Sequence, residues 1–222
     1  MMNKIKFKIK EVKPKIFLAE FEDSYDMCMT FCRYQEFYES PNSQFRNHNF
    51  KLFDFIKWYS NHYSKGNFTY ATDWSGFNVP SKVLLKCWLG TAQDYTCYDS
   101  VMTSIIDSIH DKLLKKYGTI NIDFYLIGAQ KGRSNTVKHE VAHGMFYLNK
   151  NYKKEMLSLV KALKPKFRNQ FYKDLQKVGY SKQVLPDEAQ AFLATGWRNY
   201  FTKLNGEAAP FIEVFNKYYE KQ

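Results

Sequence analysis

The sequence contains no hydrophobic run that approaches the roughly 18 apolar residues of a membrane-spanning helix. Its first 21 residues, MMNKIKFKIKEVKPKIFLAEF, alternate lysine with apolar side chains and lack the continuous apolar core of a signal peptide. These two absences predict a protein that neither spans a membrane nor is exported by the usual N-terminal route. We therefore expect a cytoplasmic protein without a membrane partner.

Cysteine and arginine are both scarce. Four cysteines in 222 residues are too few for a disulfide framework. Cys28 and Cys32 stand four apart, which is not the spacing of a zinc knuckle, so we expect buried free thiols in a reducing compartment. Only five of the 33 basic residues are arginine, and the lysines are scattered along the chain. The formal net charge of +11 therefore does not predict nucleic-acid binding.

The composition is that of a folded chain. Hydrophobic residues make up 45% of the sequence and aromatic residues 18%, which excludes general disorder. A chain of 222 residues can form one domain, residues 1–222. Within it we expect an N-terminal part, 1–118, with a β-hairpin and helices, and a part, 119–222, with one strand, the motif helix described below and a helical C-terminus.

Hydrophobic periodicity predicts the elements. Residues 4–20 alternate with period two around Pro14, which predicts a β-hairpin or two short strands, and 119–130 has the β-branched and aromatic composition of a strand. Most other segments repeat apolar residues at helical spacing, while the glycine- and proline-containing stretch GNFTYATDWSGFNVPS, 66–81, is predicted to be a loop. The expected fold class is α+β, mostly helical with a small sheet.

The segment VKHEVAHGMFYLN, residues 137–149, carries the pattern H-E-x-x-H. Residues four apart share one face of a helix, so His139 and His143 can present two imidazole nitrogens to one tetrahedral ion. Glu140 is rotated by about 100° from His139, so its carboxylate can reach a water beside the metal instead of the metal itself. Because Zn²⁺ acidifies such a water and a carboxylate can take its proton, the motif predicts a catalytic Zn²⁺ site.

The motif also has the surroundings of a packed helix. Four apolar residues, Val137, Val141, Met145 and Leu148, form a stripe that would hold the helix against a core. The alternative explanation is an ordinary buried helix with two hydrogen-bonded histidines. The spacing favours metal binding over that alternative.

Residues 119–192 resemble the zincin metallopeptidases, because a strand, TINIDFYLIGAQ, leads through a short turn into the HEVAH helix. In zincins such a strand borders the cleft as an edge strand and pairs with an extended substrate backbone. The resemblance implies a peptide or protein substrate, zinc ligands at His139 and His143, and a general base at Glu140.

The third ligand separates the branches of the zincins. The branch with the longer motif HExxHxxGxxH does not fit, because Phe146 and Asn149 occupy the positions of the glycine and the third histidine. The gluzincin branch takes a glutamate from a later helix. Glu188, 45 residues after the second histidine, fits that arrangement, with Asp187 and Glu155 as alternatives.

Two supporting roles stay open at this point. In many gluzincins an acidic residue four positions after the glutamate ligand contacts a zinc-bound histidine, but Phe192 stands there, which leaves Asp187 or Gln190 for the role. A hydrogen-bond donor to the substrate carbonyl oxygen is also expected. The candidates for that donor are Tyr147, Tyr180 and Tyr200.

Two hypotheses for function follow. The first is a zinc-dependent hydrolase, a gluzincin-like metallopeptidase that cleaves peptide bonds. The second is a non-catalytic binding or interaction protein that is stabilised by a metal and keeps a zincin shell. A filled coordination sphere would favour the second hypothesis, and an open position the first.

Overall fold

The computed structural model describes residues 5–196 and 206–220, except for the side chains of residues 92 and 93. The chain forms two compact units, an N-terminal unit, Met1–Arg133, and a C-terminal unit, Ser134–Gln222. The expected single domain stays a prediction.

The described elements confirm the α+β class. The strands are β1 (Phe7–Lys13), β2 (Ile16–Phe21), β3 (Gly76–Pro80) and β4 (Tyr125–Gln130). The helices of the N-terminal unit are α1 (Ser24–Glu39), α2 (Leu52–Tyr63), α3 (Tyr70–Asp73), α4 (Ser81–Leu89) and α5 (Cys97–Tyr117), with a short 3-10 helix at Thr91–Asp94. The helices of the C-terminal unit are α6 (Ser134–Leu148), α7 (Lys150–Ala162), α8 (Pro165–Val178), α9 (Leu185–Thr195) and α10 (Ala209–Glu220).

The sheet has the order β1-β2-β4-β3. The predicted hairpin is confirmed, since β1 and β2 pair antiparallel on either side of a turn in which Lys15 has a φ of 64°. β2 then pairs in parallel with β4, and β3 pairs antiparallel with β4 on its other side. The prediction that β4 is an edge strand is therefore wrong. The composition of β4 identifies a strand. Its neighbours in the sheet, β2 and β3, come from distant parts of the sequence, so local composition does not predict its position.

The prediction of a loop over 66–81 is wrong in part, because this stretch contains α3 and β3. Gly76 and Pro80, which locally argue against a strand, are its first and last residues, and β3 lies at the edge of the sheet, where proline is tolerated. Between them, β3 pairs with the buried strand β4, and this tertiary pairing overrides the local composition.

The core of the N-terminal unit is rich in aromatic side chains. Phe31 of α1 stacks on Phe77 of β3, with ring centroids 5.7 Å apart, and its ring covers Gly128 of β4. A Cβ atom at Gly128 would lie 2.6 Å from the Phe31 ring, so glycine lets α1 pack closely on the sheet. α1 also buries Glu36, which accepts a hydrogen bond of 2.6 Å from the Tyr70 hydroxyl.

α9 lies at the centre of the C-terminal unit, where it contacts α6, α7, α8 and α10. Within the apolar stripe of α6, Val141 and Met145 are buried, and Val137 and Leu148 are half-buried, as the helical spacing predicts. Small buried residues of α9, Ala189 among them, allow neighbouring helices to approach closely. None of the helices in the described part of the chain is long and apolar enough to cross a membrane.

Candidate metal centre

α6 brings the two motif histidines together. His139 and His143 lie one turn apart on the same face, and each is only 2% exposed. Their ring centroids are 5.0 Å apart, and their Nε2 atoms face each other at 3.3 Å. This contact follows from helical geometry, which places residues four apart above one another.

α9 adds a carboxylate to this pair of nitrogens. Glu188 lies in the first turn of α9 and is 2% exposed. Its Oε1 atom is 3.6 Å from Nε2 of His143, and its Oε2 atom is 3.9 Å from Nε2 of His139. The ligand atoms of these three residues all lie within 4.8 Å of one another, so the triad could hold a metal ion.

The separations suit a small tetrahedral ion. Ligands at the usual Zn–N distance of 2.0–2.1 Å in tetrahedral geometry lie about 3.3–3.4 Å from each other. The two imidazole nitrogens have this spacing, and the carboxylate oxygens are a few tenths of an ångström farther away. Glu188 Oε2 is a buried atom that has no hydrogen-bond partner among the described residues, which is costly unless a cation lies beside it. The residues therefore fit a metal ion.

Asp187 sets the orientation of His143. One of its carboxylate oxygens, Oδ1, is 2.9 Å from Nδ1 of His143. A carboxylate accepts this hydrogen bond, so Nδ1 carries the proton and the lone pair of a neutral His143 lies on Nε2, facing the centre. The same Oδ1 atom accepts a 2.9 Å hydrogen bond from Gln190.

Thr195 sets the orientation of His139. Its hydroxyl lies 3.3 Å from Nδ1 of His139 and donates its own proton to the Ala191 carbonyl at 2.7 Å. Because that proton is already used, the hydroxyl oxygen accepts from His139 Nδ1. Phe192 packs its ring against the same imidazole, with centroids 4.6 Å apart. Both histidines thus direct Nε2 lone pairs at each other, an arrangement that requires a proton or a metal cation between them.

The electrostatics of the centre also indicate that it holds a proton or a cation. Burial disfavours the charged form of His143, but the carboxylates of Asp187 and Glu188 outweigh burial and hold the pKa of this imidazole well above its usual range. Burial raises the pKa of Glu188, and the His143 charge opposes that rise. Without a metal, the centre therefore retains protons that a bound cation would displace.

Glu140 lies within reach of this charge cluster. It is 5% exposed, and its charge contributes to the raised pKa of both His143 and Glu188. It follows His139 on α6, so it is rotated away from the face that carries the two histidines. This is the position the sequence predicts for a base that does not bind the metal, and the catalytic role itself stays a prediction.

Of the three residues considered as third ligand, Glu188 is the one that joins the histidine nitrogens. Asp187 instead contacts His143 on the opposite side of the ring, at Nδ1. Glu155 of α7 forms an ion pair with Lys217 at 2.9 Å and accepts a hydrogen bond of 2.6 Å from the Tyr218 hydroxyl.

The tyrosine candidates for binding a substrate carbonyl oxygen have different positions. Tyr180 donates a hydrogen bond to the Glu188 carboxylate and packs edge-on against Phe192. Tyr147 is half-buried on α6, and Tyr200 lies outside the described residues. The role itself stays a prediction for all three.

Two contacts of the site were not predicted from the sequence. Thr195 stands seven residues after Glu188, a spacing that puts both on one face of α9, so helical periodicity could have indicated it. Tyr152 of α7 donates a 2.9 Å hydrogen bond to Oε1 of Gln190, and no local pattern marks that contact.

Comparison of the chain with protein-family models, curated proteins and solved structures finds no match. The resemblance to zincins therefore depends on the HEVAH motif and on the side chains around it. What the described residues show is a buried triad, His139, His143 and Glu188, that could hold a metal ion.

Proposed function

We propose that the protein is a zinc-dependent hydrolase that cleaves peptide bonds, with His139, His143 and Glu188 as metal ligands. The observation that carries this proposal is the convergence of two Nε2 lone pairs and a buried carboxylate on one point. Two imidazoles and one carboxylate are a donor set of catalytic zinc sites, which use three protein ligands and keep a fourth position open. Structural zinc sites use four protein ligands, whereas the cluster among the described residues has three.

A zinc ion held there would polarise the scissile carbonyl and acidify a water molecule. Glu140 would act as the general base and then as the general acid. Its carboxylate takes a proton from the attacking water while the water oxygen bonds to the carbonyl carbon. As the C–N bond breaks, Glu140 returns that proton to the leaving amine nitrogen, so the base ends in its starting form.

Tyr180 is the tyrosine that the contacts favour as donor to the substrate carbonyl oxygen. Its hydroxyl already contacts one of the three proposed metal ligands through its hydrogen bond to Glu188. To act on a substrate, the hydroxyl would transfer this hydrogen bond from the Glu188 carboxylate to the carbonyl oxygen.

The second candidate function is a metal-stabilised binding protein without hydrolysis. Each of the three donor residues is only 2% exposed, and this burial favours a closed site. The two candidates differ in whether a small ligand can reach the metal. A cobalt-substituted protein whose visible spectrum changes on adding a hydroxamate has an open position, and an unchanged spectrum supports the closed, non-catalytic site.

The first experiment is elemental analysis of protein purified without chelators or a metal-binding tag. Wild type, His143→Ala and Glu188→Ala would be compared. About one zinc per chain in the wild type, lost in both variants, would support the site and its third ligand together. Zinc lost only with His143 would direct the search to Asp187 or Glu155. No zinc in the wild type, even after zinc is added, would contradict the proposal.

Peptidase activity is tested separately by incubating the zinc-loaded protein with a mixed peptide library and identifying new termini by mass spectrometry. Cleavage that stops when a chelator is added and returns with Zn²⁺ supports the proposed reaction. Stoichiometric zinc with no cleavage of peptides or unfolded proteins would favour the metal-stabilised binding protein.

A further inference from the structure

A chain of hydrogen bonds runs from α7 to the candidate metal ligand His143. Tyr152, Gln190 and Asp187 follow one another with separations of 2.9 Å, and Asp187 reaches His143 Nδ1 at the same distance. Tyr152 and Gln190 are each 0% exposed. Both therefore lie behind Asp187, away from the atoms that would bind the metal.

The direction of this chain is fixed by its acceptors. The Gln190 Nε2 atom faces the carboxylate of Asp187 and, at 3.4 Å, the carbonyl of Ala142. Both groups can only accept hydrogen bonds, so the amide must present its NH₂ group to them. Its Oε1 atom then faces Tyr152, and the Tyr152 hydroxyl donates to it.

We propose that Tyr152 and Gln190 are positioning residues that set the metal affinity of the centre through Asp187 and His143. The inference rests on the proposed metal site. With both ends of its amide bound, Gln190 holds Oδ1 of Asp187 at the position where it accepts from His143 Nδ1. This contact keeps the His143 lone pair on Nε2 and aimed at the centre. Contacts of this kind around ligands alter metal affinity about tenfold to 100-fold.

Loss of the Tyr152 hydroxyl would leave Gln190 Oε1 buried without its donor. The amide would then lose the contact that fixes which way it faces, and the orientation that donates to Asp187 would be less populated. Tyr152→Phe removes one oxygen atom, whose hydrogen bond goes to Gln190, so we expect the effect on the metal ligands to act through Gln190 and Asp187.

The test measures the Kd for Zn²⁺ by competition with a chromophoric chelator, at one pH, for wild type and Tyr152→Phe. The matched control is Tyr218→Phe, which removes another tyrosine hydroxyl from the same unit. Tyr218 packs edge-on against Tyr152 at 5.4 Å, but its hydroxyl donates to Glu155 instead of to the chain. We expect Tyr152→Phe to weaken zinc binding about tenfold and the control to leave Kd unchanged.

A double-mutant cycle separates positioning from general loss of packing. In an Asp187→Ala background the series of hydrogen bonds is already interrupted, so Tyr152→Phe should no longer change the Kd for Zn²⁺. Gln190→Met, which keeps the side-chain volume without the amide, should weaken binding about tenfold or more, and it tests the same chain if Tyr152→Phe folds poorly. Thermal unfolding of the metal-free proteins reports any general destabilisation.

Three results would overturn the inference. Kd could be unchanged in both Tyr152→Phe and Gln190→Met, the loss could be equally large in the Asp187→Ala background, or Tyr218→Phe could weaken zinc binding as much as Tyr152→Phe. In each of these cases the proposed metal site would still stand, because the wild type binds zinc. A wild type that binds no zinc in the same titration would instead contradict the proposed function itself.

Discussion

Glu36 in the N-terminal unit and Glu188 in the C-terminal unit are both buried, but their surroundings differ. Glu36 of the N-terminal unit is 7% exposed and accepts hydrogen bonds from the hydroxyls of Tyr70 and Ser40. Glu188 of the C-terminal unit is 2% exposed and faces two imidazoles, and within the described part of the chain one of its oxygens is buried without a hydrogen-bond partner. Burial raises the pKa of both carboxyl groups, although hydroxyl donors oppose the rise at Glu36 and the His143 charge opposes it at Glu188.

The comparison shows that a buried carboxylate and a raised pKa do not by themselves indicate a metal site. Hydroxyl groups donate hydrogen bonds to Glu36 within an aromatic core, so this buried carboxyl group is stabilised without a metal. Glu188 is the one of the two that meets nitrogen lone pairs at the spacing of a tetrahedral ion. The geometry of neighbouring donors, and not burial, separates the candidate metal ligand from the structural residue.

Replacing each glutamate by glutamine should give the largest difference in zinc affinity between the two variants. Glu188→Gln replaces an anionic ligand by a neutral amide, and we expect zinc binding to weaken by at least about 100-fold, more than the loss of a contact behind a ligand costs. Glu36→Gln should leave zinc content at the wild-type level. Isothermal titration with Zn²⁺ on both variants checks this, and equal affinities would remove Glu188 from the ligand set.

Glu140→Gln should separate metal binding from catalysis. Because Glu140 is proposed to move a proton and not to bind the metal, the variant should retain about one zinc per chain. Turnover of any peptide substrate should fall about 10²- to 10⁴-fold, the usual contribution of a general base. Glu155→Gln, a carboxylate of the same unit that pairs with Lys217, is the control and should keep full activity. Undiminished turnover in Glu140→Gln would rule out its role as base.

Metal removal should destabilise the C-terminal unit more as the pH rises. In the metal-free fold the pKa values of His143 and Glu188 are raised, so their stabilising contribution is present at low pH and is lost as the pH increases through those folded-state values. Zinc binding has the opposite trend, because protons compete with the metal. The gap between zinc-loaded and chelator-treated melting temperatures should therefore be wider near about pH 8 than near about pH 6.

Differential scanning fluorimetry across that range measures the gap, and each tenfold gain in zinc affinity adds about 1.4 kcal/mol. The same scan on His143→Ala should show no zinc-dependent gap at either pH. A gap that narrows with rising pH in the wild type would contradict the assignment of these protons to the metal centre.

Glu36→Gln should have the smallest effect, and it should be stabilising. Because the pKa of Glu36 is raised in the folded protein, its un-ionised carboxyl group stabilises the fold at low pH, and this contribution is lost as the pH rises through the folded-state pKa. Glutamine has nearly the same shape and does not ionise, so the variant should gain of the order of 1 kcal/mol near neutral pH and nothing at low pH. Urea unfolding at two pH values measures this, with exposed Glu22→Gln as control.

The fold class and most helices could be predicted because they depend on local periodicity. α5 is an example, since Thr96 and Asp99 form a capping box at its start and Gly118, with a φ of 71°, ends it. The position of β4 within the sheet could not be predicted. Its register with Ile16–Phe21 on one side and Gly76–Pro80 on the other is a long-range property, and Gly76 and Pro80 locally argue against a strand.

The candidate metal triad could be predicted partly from the spacing of the two histidines within one helix and partly from the resemblance to gluzincins. His139 and His143 are one turn apart, and Glu188 was the acidic residue of a later helix that resembled the gluzincin pattern. The hydrogen-bond acceptors behind the histidines were harder to assign. Asp187 was considered both as ligand and as partner, and only the packing of α9 on α6 brings it to Nδ1 of His143.

Two short segments of the sequence, α6 and α9, supply most residues of the candidate metal centre. α6 supplies both imidazoles and Glu140, while α9 supplies Glu188 together with Asp187 and Thr195, the acceptors that orient the imidazoles. Donors and the groups that aim them are thus encoded in 15 residues of one helix and 11 of another. Such a centre is suited to transplantation. Grafting these two helix faces onto another packed helix pair would transfer the three candidate ligands and the acceptors that orient them, but not the contacts from Tyr152 and Tyr180.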